Sequence, residues 1–94
     1  MSRLQAHEAE LRGLGVERLS LFGSVARGQD SAQSDVDVAV RLSDELRGFR
    51  RIRQLDALRQ RLETLLNAGV DVVEEPVPSM RLQQAIDRDR VLAF

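Results

Sequence analysis

The residues whose types and spacing best suit chemistry are Gly23-Ser24 and, ten residues further on, Asp35 and Asp37 with a single valine between them. Glycine lets a backbone approach a phosphate with no side chain in the way, and serine adds an amide and a hydroxyl. Arg27 follows within the next turn and offers a planar guanidinium fork to phosphate oxygens. Two aspartates two apart on a strand share one face and lie roughly 6.5–7 Å apart along it, a span over which both carboxylates can converge on bridging cations. Like charges so placed repel unless cations join them. Magnesium selects oxygen ligands and keeps several waters, so two or three aspartates and the phosphates of a bound triphosphate satisfy it. The chemistry such a set serves is phosphoryl or nucleotidyl transfer, in which phosphate charge is neutralised and the attacking and leaving oxygens are held in line.

The surrounding elements must put these groups together. Val36, Val38, Val40 and Leu42 alternate with Asp35, Asp37, Ala39 and Arg41, the period of a strand with one buried face, so both aspartates fall on the other face. Val16, Leu19, Leu21 and Phe22 mark an earlier strand with imperfect alternation, and Gly23-Ser24 ends it. Residues 25–34 read as a helical turn and loop. Ahead of that strand, Ser2 is expected to cap a helix running through Leu4 and Leu11 to about Gly13. Ser43, with Asp44 and Glu45 behind it, is expected to cap a long helix with Phe49, Ile52, Leu55, Leu58, Leu62, Leu65 and Leu66 packed along the sheet. Asn67 and Gly69 stop that helix, Val70 to Val73 forms a third strand, and Ser79 caps a last helix carrying Leu82, Ala85 and Ile86. The tail Val91, Leu92 and Phe94 either closes the core or joins an interface. A strand, a long helix and a strand imply parallel neighbours, so Asp71 should lie beside the strand of Asp35 and Asp37.

Composition narrows the possibilities. A chain of 94 residues with 43% hydrophobic content suits one compact domain spanning residues 1–94. There is no cysteine, which removes disulfides, thiolate metal sites and cysteine nucleophiles. The apolar runs are too short to span a bilayer, and with no targeting segment evident a cytoplasmic location is expected. A net charge of −1 gives no general pull toward nucleic acid, and direct nucleic-acid binding is not expected. All 14 basic residues are arginine, so phosphate recognition falls to arginine or backbone amides. Arg47, Arg50, Arg51 and Arg53 read as the solvated side of an amphipathic helix, with docking on an acidic partner surface as the alternative. His7, the one histidine, reads as exposed and without a catalytic task.

The segments LFGSVARG and SDVDVAV, joined by Gly23-Ser24 and Asp35-x-Asp37, resemble the signature of the polymerase-β-like nucleotidyltransferases, and in particular the minimal nucleotidyltransferase (MNT) antitoxins. The resemblance extends more weakly to VDVV at Val70 to Val73. It implies an α/β (α+β) fold with a small mixed sheet of three to four strands and helices packed on it. It further implies that Gly23 and Ser24 hold the triphosphate of ATP, that Asp35 and Asp37 bind a Mg2+ pair, and that Asp71 completes the acidic set and activates the acceptor. The loop Gln29-Asp30-Ser31-Ala32-Gln33 departs from the smaller run expected there, and its Asp30 adds negative charge near the phosphates. MNT proteins pair with HEPN-domain ribonuclease toxins, and some transfer AMP to a toxin tyrosine. This chain has no tyrosine, so a tyrosyl acceptor would sit on another molecule and the working form would be a hetero-oligomer. The alternative is a binding-only antitoxin that covers its toxin with a vestigial site; a stand-alone transferase for small molecules is a third reading.

Overall fold

The computed structural model describes residues 2–26 and 35–94. Its elements are α1 (Ser2–Ala6), α2 (Glu8–Gly13), β1 (Val16–Phe22), α3 (Gly23–Ala26), β2 (Val36–Leu42), α4 (Phe49–Leu66), β3 (Val70–Glu74), α5 (Met80–Asp89) and β4 (Val91–Leu92). The strands form one mixed sheet in the order β3-β2-β1-β4. β2 and β3 are parallel, as the intervening helix requires, whereas β1 runs antiparallel to both β2 and β4. The expected mixed α/β architecture is therefore present, and the tail contributes a short edge strand beside β1.

Alternation assigns the two faces of the sheet. Val38, Val40 and Leu42 of β2 join Val16, Leu19, Leu21, Leu58 and Leu62 in the main core, with Leu4 and Leu11 above them. Ala39 faces the other way and packs with Phe22 and Ile86 beneath α5. The imperfect pattern of β1 has a specific cause: its register against β2 shifts between Val16 and Arg18, which returns the later leucines to the core face.

Three local expectations are corrected. The first helix is two short ones, broken at His7, whose backbone (φ −107, ψ 18) leaves the helical region. α1 is held to α4, where Arg3 Nη1 donates to the Leu65 carbonyl at 3.3 Å, while α2 lies against β1, so the two helices answer to different supports. Ser43 does not cap α4: its hydroxyl accepts from the Glu45 amide in a tight turn, and α4 starts after Gly48, whose φ of 59 favours glycine. Finally, Phe49 and Ile52 are not packed; they are 84% and 62% exposed. The reason is the rotation of α4. Arg51 turns inward, donating to Glu74 and to the Leu46 carbonyl (2.7 Å), and Gln54 donates to the Leu14 carbonyl (3.1 Å). With those polar groups satisfied inside, the first-turn apolar residues face out and only Leu58 and Leu62 reach full burial. Arg51 thus leaves the solvated side on which its sequence neighbours Arg47, Arg50 and Arg53 remain.

The later stops behave as expected. Asn67 ends α4 in the left-handed region (φ 51, ψ 47), and Ser79 caps α5 by accepting from the Leu82 amide at 3.2 Å. Among the described residues no helix is long and apolar enough to cross a membrane.

Candidate active site

The site lies where β1 ends against the start of β2. The last residue of β1, Phe22, is the register partner of Asp37, and the chain then turns at Gly23 into α3. Gly23 has φ 74, and a Cβ built there would run into the Asp37 carboxylate, its Oδ2 first and its Cγ at 3.1 Å. Glycine is required twice over: for the positive φ and for the clearance that lets the Gly-Ser corner touch the aspartate. The Asp37 backbone is fixed by antiparallel pairing on one side and parallel pairing on the other, which leaves its carboxylate little freedom of position.

In the parallel ladder the Cα partner of Asp37 is Asp71, which sets the two residues side by side on one face. Asp35 lies just ahead of β2, where the Val36 amide donates to the Gly69 carbonyl at 2.9 Å. Its carboxylate extends over Gly69, with Oδ1 2.5 Å from the point a Cβ there would occupy. The three aspartates therefore share one end of two parallel strands, with Asp37 half-buried at the Gly23 corner and Asp35 and Asp71 exposed. Among the described residues no three acidic or histidine side chains close on a common point as a ready-made cation site. The arrangement is a shared edge of carboxylates. Like charges at this spacing draw together when a cation or a cation-bearing phosphate joins them. Ser24 follows Gly23 in the first turn of α3, which places its backbone at the corner. Arg27 and the loop holding Asp30 lie outside the described residues.

Behind this corner lies a brace that residue spacing does not reveal. Arg90, at the end of α5, donates to the buried Ser20 hydroxyl (2.8 Å) and to Glu75 Oε1 (2.9 Å), and also pairs with Asp87 (3.0 Å). Gln83 donates to Glu75 Oε2 at 2.7 Å. Hydrogen bonding from Arg90 is the main cause that holds the Glu75 carboxyl below its ordinary 4.5, with Gln83 and Arg18 adding to it against the cost of burial. Asp87 is lowered chiefly by the same guanidinium. This network fastens α5 to β1 and to the chain leaving β3, and α5 in turn packs on Phe22, Ala39 and α3. The only signal available beforehand was Ser20, a lone hydroxyl among apolar neighbours in a strand. A cavity of about 210 Å³ lined by Arg18, Arg41, Glu75, Pro76 and Gln83 lies beside this brace and holds none of the three aspartates. The carboxylate edge and the Gly23 corner form the candidate site instead.

A small mixed sheet with paired acidic strands beside a Gly-Ser corner defines a minimal nucleotidyltransferase domain. The family model described as Polymerase beta, Nucleotidyltransferase matches residues 9–93, and the chain belongs to that family. It is 38% identical over 73 residues to the protein adenylyltransferase MntA of Thermococcus cleftensis, covering 77% of this chain and 70% of the relative. Among solved structures, a toxin–antitoxin with AMP-PNP superposes with a TM-score of 0.74 at 26% identity, over 100% of this chain and 73% of the other. The complex of tri-AMPylated HEPN toxin with MNT antitoxin from Shewanella oneidensis matches with a TM-score of 0.64 at 26% identity, over 100% and 72% of the two chains.

Proposed function

We propose that this protein is an antitoxin that transfers AMP from ATP to a hydroxyl, in the first instance a tyrosine, of a partner HEPN ribonuclease toxin. Similarity to a protein adenylyltransferase, to a toxin–antitoxin holding an ATP analogue and to a complex with an AMPylated HEPN toxin supports this reading. The observation that carries it is the parallel register that sets Asp37 beside Asp71 next to the Gly23 corner. ATP as donor fits a cytoplasmic protein.

In this reading Gly23 and the backbone of Ser24 cradle the triphosphate, and Arg27 supplies a guanidinium to its oxygens. The residues fit Mg2+: Asp35, Asp37 and Asp71 offer hard oxygen donors, and no softer ligand stands among them. When bound, the divalent cation neutralises charge on the triphosphate. Asp71, the exposed member of the register pair, takes the proton of the acceptor hydroxyl. The bond from that oxygen to the α-phosphorus forms as the bond to the leaving pyrophosphate breaks, so the acceptor gains AMP.

The deciding experiment incubates the chain with labelled ATP, magnesium and its partner toxin, beside the double variant Asp35→Asn/Asp37→Asn. Wild type should add AMP to the toxin and abolish its ribonuclease activity, while the double variant adds none and leaves the toxin active. A double variant that still neutralises the toxin would reject the enzymatic reading in favour of an antitoxin that acts by covering its target.

A further inference from the structure

The first turns of α4 present a surface that neither the core nor the active site uses. Phe49 and Ile52, one helical turn apart, are the most exposed large apolar residues on this helix, at 84% and 62%. Arg47, Arg50 and Arg53 surround them, all exposed. Among the described residues Arg50 and Arg53 make no hydrogen bond or ion pair, and Arg47 reaches only the Asp44 carbonyl at 3.4 Å. Of the acids nearby, Glu74 is engaged by Arg51 and Asp56 by Arg59 and Gln60, while Asp44 and Glu45 stand exposed ahead of the helix, so three arginines face two acids. Beside the apolar pair runs a groove of about 250 Å³ lined by Leu46, Arg50, Arg53 and Gln54. A second concavity of about 360 Å³ shares Leu46, Arg50 and Gln54 with it.

We propose that this end of α4 and its groove dock the acceptor protein through an amphipathic helix whose apolar ridge is flanked by carboxylates. The inference rests on the reading above that the acceptor is a partner protein. Charge decides the kind of occupant. The chain as a whole carries −1, so a local excess of arginine over acid, Arg47, Arg50 and Arg53 against Asp44 and Glu45, is a property of this surface and not of the molecule. An apolar centre rimmed by arginine is the composition of a protein interface, where a desolvated core is enclosed by a charged rim. A nucleic-acid surface would instead extend the basic groups along a stripe and add further aromatic platforms.

The position of the surface gives the docking a definite consequence. α4 covers the face of the sheet that holds Val38 and Val40, whereas Asp37 lies on the face of Ala39. Its first turn follows the far end of β2, which lies roughly 17 Å along the strand from Asp37. A helix seated there leaves the nucleotide corner open, so tethering of the acceptor and transfer of AMP are separable. Loss of the surface weakens capture of the acceptor and spares ATP binding.

Two variants test this with the full chain and its partner toxin: Phe49→Ser/Ile52→Ser, and the charge reversal Arg50→Glu/Arg53→Glu. These side chains are exposed, so both variants should keep the wild-type melting temperature. Each should weaken the complex, measured by calorimetry, at least tenfold and raise KM for the toxin by a similar factor. ATP affinity and kcat at saturating toxin should stay within twofold of wild type. Weakening by the charge reversal should shrink in high salt. Unchanged complex affinity in both variants, while wild type still modifies the toxin, overturns the docking surface and leaves the transferase reading standing; no modification by wild type rejects that reading first. Loss of self-association instead, or loss of binding to RNA, overturns the choice of occupant.

Discussion

At the scale of single residues, the site turns on an atom that is missing. Gly23 has no Cβ, and the space it leaves belongs to the Asp37 carboxylate. Alanine at this position would carry the strain of φ 74, about 1–2 kcal/mol for a residue with a Cβ, and would push the aspartate away from the corner. Gly23→Ala should therefore lower stability in urea by about that amount, and should cut AMP transfer by about 100-fold, the scale of loss that follows an ångström of misplacement. The two effects are tied to one cause. A variant that lost stability but kept full transfer would show that Asp37 does not need its contact with the corner.

At the scale of elements, α5 is held by ionic contacts that the sequence did not advertise. Arg90 and Glu75 are 12% and 10% exposed as side chains, and the pair also secures the buried Ser20 hydroxyl. Glu75 is depressed below its ordinary 4.5 in the folded protein, so its contribution to stability is fully present above that value and is lost as pH falls through the lower folded value. Glu75→Gln should cost roughly 1–3 kcal/mol near neutral pH by leaving Arg90 underpaired, and the gap to wild type should close on acidification below about pH 4.5. Urea titrations of both proteins at a series of pH values check this; a gap that stayed constant into acid would mean the carboxylate charge of Glu75 is not what holds α5. Asp87 is lowered by the same arginine and keeps part of the acid sensitivity in the variant.

The elements themselves were legible where the pattern was strong. The valine alternation from Val36 to Leu42 located β2 and the face of Asp37, while Asp35 falls just ahead of the strand, and the strand–helix–strand order set Asp71 alongside, because both rules depend only on local geometry. The β1 limits and the Ser79 cap followed in the same way. What escaped depended on distant contacts. The inward turn of Arg51 toward Glu74 cannot be read from helical periodicity, since a leucine stripe counts apolar positions and ignores a half-buried arginine with four acceptors. The same holds for Arg90, whose partners Glu75 and Ser20 lie 15 and 70 residues away.

At the scale of the whole molecule, nucleotide binding and folding are linked, because the carboxylate edge and the Gly23 corner come together only in the folded sheet. A ligand that binds the native state at a hundred times its dissociation constant adds about 2.7 kcal/mol, which for a chain of 94 residues raises the melting temperature by roughly 10–20 °C. ATP with magnesium should produce a rise of this size, and ATP with a chelator should produce much less. Asp37→Asn should melt near the ligand-free wild type and respond little to ATP and magnesium, since the half-buried aspartate at the corner is the group on which both neighbouring strands converge. A variant that gained the full rise would place the nucleotide away from Asp37, and the site would then have to be sought elsewhere on the sheet. Because the chain has no tyrosine, a tyrosyl acceptor would lie in another molecule, so this linkage is measurable without any partner present and separates nucleotide binding from acceptor capture.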